Sequence, residues 1–585
     1  MMTQIAAVRV DPARARVYAE GWQSWSQTGS FPATAAPRQV TSPESLAIDC
    51  QYGQAAPAGV LEGSGLLAVD PADGGPVTVF GATDTSSRVP VIQARLRGEE
   101  LIVSADAPVT GTQDRGPGGI PGALGRWADQ FATEVVLRTI PPVWCSWYQY
   151  YSGVTQADML ANLAAMDELR VPVGVVQIDD GYESCPGDWL TPSGRFADLP
   201  GLISRIRSTG RRAGIWIAPM LAGRSSELLA THPDWVVRDP GTGEPVYAGT
   251  VCRDSCAALD LTHPDAAGYL AGVLGTMRSW GIGYFKVDFC YAGAVEGSRH
   301  VAMTGVEAYR HGLRLIRDAI GPDALLVGCG APILPSVGLV DAMRVGPDIA
   351  ADYEPPGGQP TMPSQRNAAR NVIARAWQHG RFWVNDPDCL MLRPQVQRRS
   401  EWASVVERYG GLRSCGDGLR QLDDWGLATT RRLLIDSPVM PVTLTHRSRR
   451  SHETNVPTIL ETAAGDPGRV RCRPGRGYHR RAIDAGGCGD TVRGAAGQCG
   501  VAAGSRAQHR ALGLHLRGRY VRGRRGEHHP APSPGGKHRP AAVWRRLLRR
   551  RLRLADQFEH RELPAGRSHR LLRGNRLQLR DLGLA

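Results

Sequence analysis

The sequence predicts an α/β protein: a (β/α)8 TIM barrel, with an antiparallel β domain before it and an atypical C-terminal tail expected to be disordered. Three observations carry this expectation. Short apolar runs alternate with helix-like stretches from Pro142 onward, which is the signature of parallel strands joined by helical crossovers. Acidic and aromatic residues follow directly on those runs, where the catalytic face of such a barrel lies. Composition then breaks abruptly near Leu444-Thr445-His446. The expected domains are 1–135 (β-sandwich-like), 136–440 (barrel) and 441–585 (tail).

In chain order, residues 1 to about 135 hold β-like runs separated by Gly, Pro and Asp turns: Val77–Phe80, Val89–Ala94 and Leu101–Ser104. The barrel strands are predicted at Val143–Trp147, Val173–Ile178, Ala213–Ala218, Tyr284–Phe289, Ala324–Val327, Ala342–Val345 and Phe382–Val384, with an eighth near Tyr409–Ser414. Between them, Ala157–Leu169 and Pro264–Trp280 carry apolar residues at three- and four-residue spacing, as a helix packed on one face requires. A doubly wound sheet is the competing fold, but it needs a phosphate or cofactor loop that the sequence does not contain.

The basic balance of the chain is local. The formal charge is +13 over 585 residues, yet the 140 residues from His446 carry 30 Arg and 1 Lys against 10 Asp and Glu, or +21; the first 445 are therefore at −8. Nucleic-acid binding is not expected of the body. In the tail, runs such as Arg545-Arg546-Leu547-Leu548-Arg549-Arg550-Arg551 offer little to bury. A basic arm is one account of it; a shifted reading frame in a GC-rich gene is the preferred one. No stretch approaches the roughly 20 apolar residues of a membrane span, and the start lacks a signal-peptide pattern. With scattered cysteines such as Cys145, Cys290 and Cys329 in or beside apparent strands, a cytoplasmic protein with reduced thiols is expected. Cys252 and Cys256 are read as a loop. No residue pattern asks for a metal or other cofactor, and homo-oligomerisation stays open.

Lys286 is the only lysine in the first 445 residues. It stands in Tyr284-Phe285-Lys286-Val287-Asp288-Phe289, where residues two apart on a strand share a side. A compact ammonium with three donors is what arginine cannot supply in a crowded pocket. The plainer account is a buried ion pair closing a core. Carboxylates recur at strand ends, in Asp179-Asp180, Asp288, Asp348 and Asp386-Pro387-Asp388, and Trp outnumbers Phe by 14 to 8. Hydroxyls want bidentate acceptors and an apolar ring face wants an indole, so the set suits a sugar.

Seven motifs then occur in order: Trp144-Cys145-Ser146-Trp147-Tyr148, Gln177-Ile178-Asp179-Asp180-Gly181-Tyr182-Glu183, Gly214-Ile215-Trp216-Ile217-Ala218-Pro219, Phe285-Lys286-Val287-Asp288-Phe289, Gly328-Cys329-Gly330, Arg344-Val345-Gly346-Pro347-Asp348 and Trp383-Val384-Asn385-Asp386-Pro387-Asp388. Together they resemble the retaining α-galactosidases of glycoside hydrolase family 36, in clan D, over roughly residues 20 to 440. Trp22-Gln23-Ser24-Trp25-Ser26 resembles a motif of that family's N-terminal domain, which can lend a Trp, here Trp25, to the active site. The resemblance implies Asp288 as nucleophile and Asp348 as general acid/base. It implies Asp179 and Asp180 on the galactose 4- and 6-hydroxyls, Lys286 near O3 and O4, and Arg344 at O2. Trp216 and Cys329 would line the pocket, Trp147 and Tyr148 would end the first strand as wall or core, and Asp386 and Asp388 would hold the seventh strand's loop. Because few residues precede Trp22, the β domain is expected to be short of strands, and the tail does not resemble the family's terminal β domain.

The function expected is hydrolysis of small α-galactosides of the melibiose or raffinose type, by double displacement and without a metal. Galactosyl transfer to another sugar, as in raffinose-synthase-like relatives, is the second enzymatic reading. An inactive product of a disrupted gene, with nucleic-acid affinity in its tail, is the third. A metal-dependent hydrolase is disfavoured, since the strands bring carboxylates but no His cluster.

Overall fold

The computed structural model describes residues 2–435 apart from 38, 39, 252 and 253; the expectations for the tail lie outside the described residues. Among the described residues, nine antiparallel strands precede the barrel. They are β1 (Thr3–Arg9), β2 (Arg16–Ala19), β3 (Gly29–Pro32), β4 (Leu61–Ser64), β5 (Leu66–Asp70), β6 (Val77–Ala82), β7 (Val91–Arg97), β8 (Glu100–Ala105) and β9 (Val109–Asp114). One sheet runs β1-β8-β7-β4 and the other β3-β2-β5-β6-β9. Alternation along the strands sorts their side chains. Val17, Leu67, Val69 and Phe80 join Ile92, Leu101 and Val103 in the core between the sheets. Tyr18, Leu66, Ala68 and Val79 point the other way, into the core shared with the barrel. Burial on both faces explains the unbroken apolar run Leu66-Leu67-Ala68-Val69.

A helix that the sequence reading missed, Gly119–Phe131, lies across that second face. Trp127 stacks on Phe131 at 4.8 Å and meets Trp377 and Phe382 edge-on at 6.4 and 6.3 Å. Gly81 makes the approach possible: a Cβ there would fall 2.4 Å from Trp127 Nε1.

The barrel follows. Among the described residues it has eight parallel strands: β10 (Val143–Cys145), β11 (Val175–Ile178), β12 (Arg212–Ile217), β16 (Ile282–Val287), β17 (Leu325–Gly328), β18 (Ala342–Arg344), β19 (Val384–Asp386) and β20 (Ser414–Cys415). β20 pairs with β10, and a Leu390–Cys415 bridge with the Leu412 N–H to Asn385 carbonyl bond (2.8 Å) closes the ring beside β19. The eighth strand lies beyond its expected start, because Tyr409 instead ends the helix Arg399–Tyr409. Tyr284, Leu325, Val327 and Val384 plug the barrel floor, which leaves the strands' C-terminal ends to polar groups. Between β12 and β16 a small antiparallel sheet, β13 (Leu221–Gly223), β15 (Asp254–Ala258) and β14 (Tyr247–Val251), is inserted. Cys256 is therefore in a strand, a correction to the loop expected there.

Helices Gln156–Glu168 and Pro264–Trp280 form where periodicity placed them. The first opens on a capping box in which the Thr155 side chain takes the Asp158 N–H and Asp158 returns the bond, worth about 1 kcal/mol. The fifth crossover departs from the regular pattern, since β17 is followed only by the 3-10 turn Leu334–Ser336. The N-terminal domain occupies that gap. The Ser24 N–H donates to the Ala331 carbonyl (3.1 Å), the Ile333 N–H to the Trp22 carbonyl (3.0 Å), and the Ala331 N–H to Ser24 Oγ (3.1 Å). No helix among the described residues is long and apolar enough to cross a membrane.

Candidate active site

Seven carboxyls and two cations crowd the C-terminal ends of the barrel strands: Asp179, Asp180, Glu183, Asp288, Asp348, Asp386 and Asp388 against Lys286 and Arg344, all buried. Fully ionised they would carry five uncompensated negative charges, which a buried site does not sustain. Protons must remain on some of them, and the geometry selects which.

Asp179 caps β11. It accepts from Lys286 Nζ at 3.1 Å, and its backbone N–H donates to Ser146 Oγ at 3.0 Å. Lys286 is nearer to Asp179 than to Asp288, whose Oδ2 is 3.9 Å away. The same-strand pairing read from the sequence is thus the weaker of its two ion pairs, because Asp288 stands one residue past the end of β16. Asp180 is buried next to Glu183, whose carboxyl is pushed well up by burial and then by the charge of Asp180. Burial and the neighbouring charge thus favour the protonated form of Glu183. Sequence reading quoted Glu183 only as part of a motif; Gly181 between them, at φ +109, is the turn that lets the two meet.

Asp288 Oδ2 accepts from Trp216 Nε1 at 3.1 Å and Oδ1 from the Phe289 N–H at 2.7 Å. Phe289 holds φ +52, a sparsely populated conformation for a non-glycine residue. Gly330, at φ +53, leaves room beside it: a Cβ there would sit 3.3 Å from Asp288 Oδ1. Trp216 is braced edge-on by Trp189 at 5.9 Å, a partner that sequence reading did not name. The Cys329 thiol is fully buried and raised by that burial, which keeps it neutral.

Asp348 lies beyond β18. Its carboxyl is raised to about 7 by burial and then by the charge of Asp388, with Arg344 opposing. Arg344 Nη1 reaches Asp348 at 2.9 Å, Nε reaches Asp386 at 3.2 Å and Nη2 reaches Asp388 at 2.9 Å. Asp288 and Asp348 follow the fourth and sixth barrel strands, with β17 between them. Trp147 and Tyr148 do not end a strand; they open the short helix Trp147–Tyr150 after β10. Tyr148 donates its hydroxyl to Asp388, while Trp147 packs edge-on against Tyr151 at 5.3 Å.

Trp25 reaches the site from the N-terminal domain. With Asp49, Tyr247, Phe289 and Met362 it lines a cleft of about 560 Å³ that includes Asp288. Asp49 was not foreseen. It accepts from Gln23 Nε2 at 3.0 Å, and burial raises its carboxyl to about 7. Among the described residues, no group of three or more His, Cys, Asp or Glu is arranged to hold a metal ion.

A family model described as Melibiase matches residues 139–316. An α-galactosidase from Escherichia coli is 32% identical over 134 residues, which is 21% of this chain and 18% of that protein. Among solved structures, an α-galactosidase from Thermus thermophilus in complex with p-nitrophenyl α-D-galactopyranoside superposes with a TM-score of 0.63 at 28% identity, over 74% of this chain and 91% of the other. The same enzyme in complex with stachyose gives 0.63 at 29%, over 74% and 93%. The aligned segment thus spans about a fifth of the Escherichia coli relative, whereas nearly the whole Thermus chain is matched.

Proposed function

Because the chain belongs to the α-galactosidases of glycoside hydrolase family 36, we propose that it hydrolyses terminal α-linked galactose from small galactosides with retention of configuration. The observation that carries this reading is the unlike environment of two carboxyls. Asp288 accepts two N–H bonds with Lys286 3.9 Å away, which suits a carboxylate that must attack as an anion. Asp348, raised to about 7, holds the proton that the departing glycosidic oxygen needs.

In the first step Asp288 attacks C1 and Asp348 donates its proton to the leaving oxygen. In the second, Asp348, now ionised, takes a proton from water, which displaces Asp288 from C1. Asp179, Asp180 and Lys286 are assigned to galactose hydroxyls, Arg344 to the 2-hydroxyl, and Trp216 and Cys329 to the pocket wall. Trp25 flanks the mouth, while Tyr148 lies buried beneath it on Asp388 with Trp147 beside it. The molecules held in complex by the Thermus relative, an aryl α-galactoside and stachyose, set the expected class.

NMR of the first-formed sugar tests retention: α-galactose is expected, and the β anomer would overturn the double displacement. A pH profile tests the proton assignment. Glycosylation needs Asp348 protonated, so kcat/KM on melibiose should fall as pH rises through about 7. Lys286→Arg keeps the charge but replaces a compact ammonium with a planar fork. We expect kcat/KM to fall by about 100-fold, the cost of roughly 1 Å misplacement. Unchanged activity would mean that Lys286 only closes an ion pair.

A further inference from the structure

Asp388 is built into the site without room to bind sugar. Its Oδ1 accepts from the Cys389 N–H at 2.6 Å and lies 2.9 Å from Arg344 Nη2. Its Oδ2 accepts from the Ile349 N–H at 2.8 Å and from the Tyr148 hydroxyl. The side chain is fully buried and the backbone holds φ +91, a conformation that costs a non-glycine residue of order 1–3 kcal/mol. Ile349 directly follows Asp348, so this carboxylate grips the chain one residue from the proton donor.

Arg344 adds to the pattern. A free guanidinium beside a carboxylate forms two parallel N–H···O bonds and strips the acid of its proton. Here only Nη1 serves Asp348, while Nε and Nη2 are engaged by Asp386 and Asp388. The remaining groups around Asp348 are Lys286 and Asp288 from the fourth strand, and Cys329 from the fifth. Tyr148 and Tyr151 approach from the first crossover as phenols kept neutral by burial. Asp388 is the anion that acts most strongly on it.

Resting on the acid/base role assigned to Asp348, we propose that Asp388, seconded by Asp386, is a positioning residue for that role. It occupies Arg344 and anchors the backbone at Ile349, so that Asp348 keeps its proton until it meets the glycosidic oxygen. Neither residue touches substrate. Both act through Arg344, and Asp388 also through the main chain. Two consequences separate this from simple loop support. Removing the negative charge should displace the pH profile as well as lower the rate. Keeping the charge while lengthening the side chain should lower the rate and leave the profile in place.

The test is kcat/KM for melibiose against pH in the full chain and in Asp388→Asn, Asp386→Asn and Asp388→Glu, with folding followed by circular dichroism and thermal unfolding. Asp388→Asn should move the alkaline limb to lower pH by about one unit or more, the effect of losing a like charge at this range. Asp386→Asn should move it the same way by less, and Asp388→Glu should keep it. Folded Asn variants that lose activity equally at every pH overturn the proposal. If Asp388→Asn does not fold, Asp386→Asn decides alone, and an unmoved limb there sinks it. A wild-type chain without activity on any α-galactoside fails earlier and removes the enzymatic reading itself.

Discussion

Replacing Asp288 by alanine should lower kcat on an aryl α-galactoside by roughly 10⁴- to 10⁶-fold, the range seen when a covalent nucleophile is deleted, and azide should restore turnover as β-galactosyl azide. The structure explains both halves. Asp288 is the carboxylate to which Trp216 Nε1 and the Phe289 N–H converge, and alanine leaves those donors aimed at a vacated space. A small anion can enter it, because Gly330 contributes no side chain there. Asp348 is untouched and still assists departure, while the activated aryl group needs little help. Azide then attacks C1 from the face Asp288 used, which inverts the α-galactoside to a β-azide. The fold should survive, since Lys286 keeps Asp179 at 3.1 Å and one of seven crowded carboxyls has gone. A folded variant that retains activity, or that yields no azide adduct at high azide, would displace Asp288 from the nucleophile's role.

Much of the barrel was legible because parallel strands buried on both faces are written as apolar runs. Val175–Ile178 and Ile282–Val287 read directly, as does the helix Pro264–Trp280 with its His263 cap and Gly281 terminus. What could not be read depended on distant partners. The eighth strand is two residues long and is held by β10 and by the loop after β19, so its own sequence carries little signal. Helix Gly119–Phe131 begins among glycines, and the aromatics that justify Trp127 lie about 250 residues onward. The missing fifth helix shows only against the docked Trp22–Ser24 segment.

The site was legible in its residue types and less so in its wiring. Lys286 stood out by its rarity, and the structure gives it Asp179 as first partner, a pairing across two strands that periodicity cannot show. Arg344 was expected at a sugar hydroxyl, yet all three of its acceptors here are carboxylates, two of them supplied by the Asp386-Pro387-Asp388 turn. Asp49 gave no local sign, because its place beside Trp25 comes from the packing of the N-terminal domain on the barrel.

That packing depends on Arg375, whose replacement by alanine should cost about 3–5 kcal/mol, the loss expected when one member of a buried ion pair is removed. The guanidinium is fully buried. Nε meets Glu20 Oε1 at 2.7 Å, Nη1 donates to the carbonyls of Ser24 (2.6 Å) and Val345 (3.0 Å), and Nη2 to that of Gln23 (3.1 Å). One side chain thus ties the Trp25 loop to the residue after Arg344. Alanine leaves the Val345 carbonyl without its donor, leaves the Gln23 and Ser24 carbonyls with only the Ser26 N–H and Asn371 Nδ2, and leaves Glu20 buried with only Tyr18, Thr28 and Gln378 as donors. Urea unfolding should therefore show a lower midpoint, and the folded fraction should show a raised KM for melibiose as Trp25 and Asp49 lose their register against Asp288. Pairing Arg375→Met with Glu20→Met should recover part of the stability, because no unpaired charge then remains, but not the KM, because the bonds that tie the Trp25 loop to Val345 are still missing. A loss below about 1 kcal/mol in Arg375→Ala, the range of an exposed pair, would show that apolar packing around Trp127 and Trp377 holds the domains together without it.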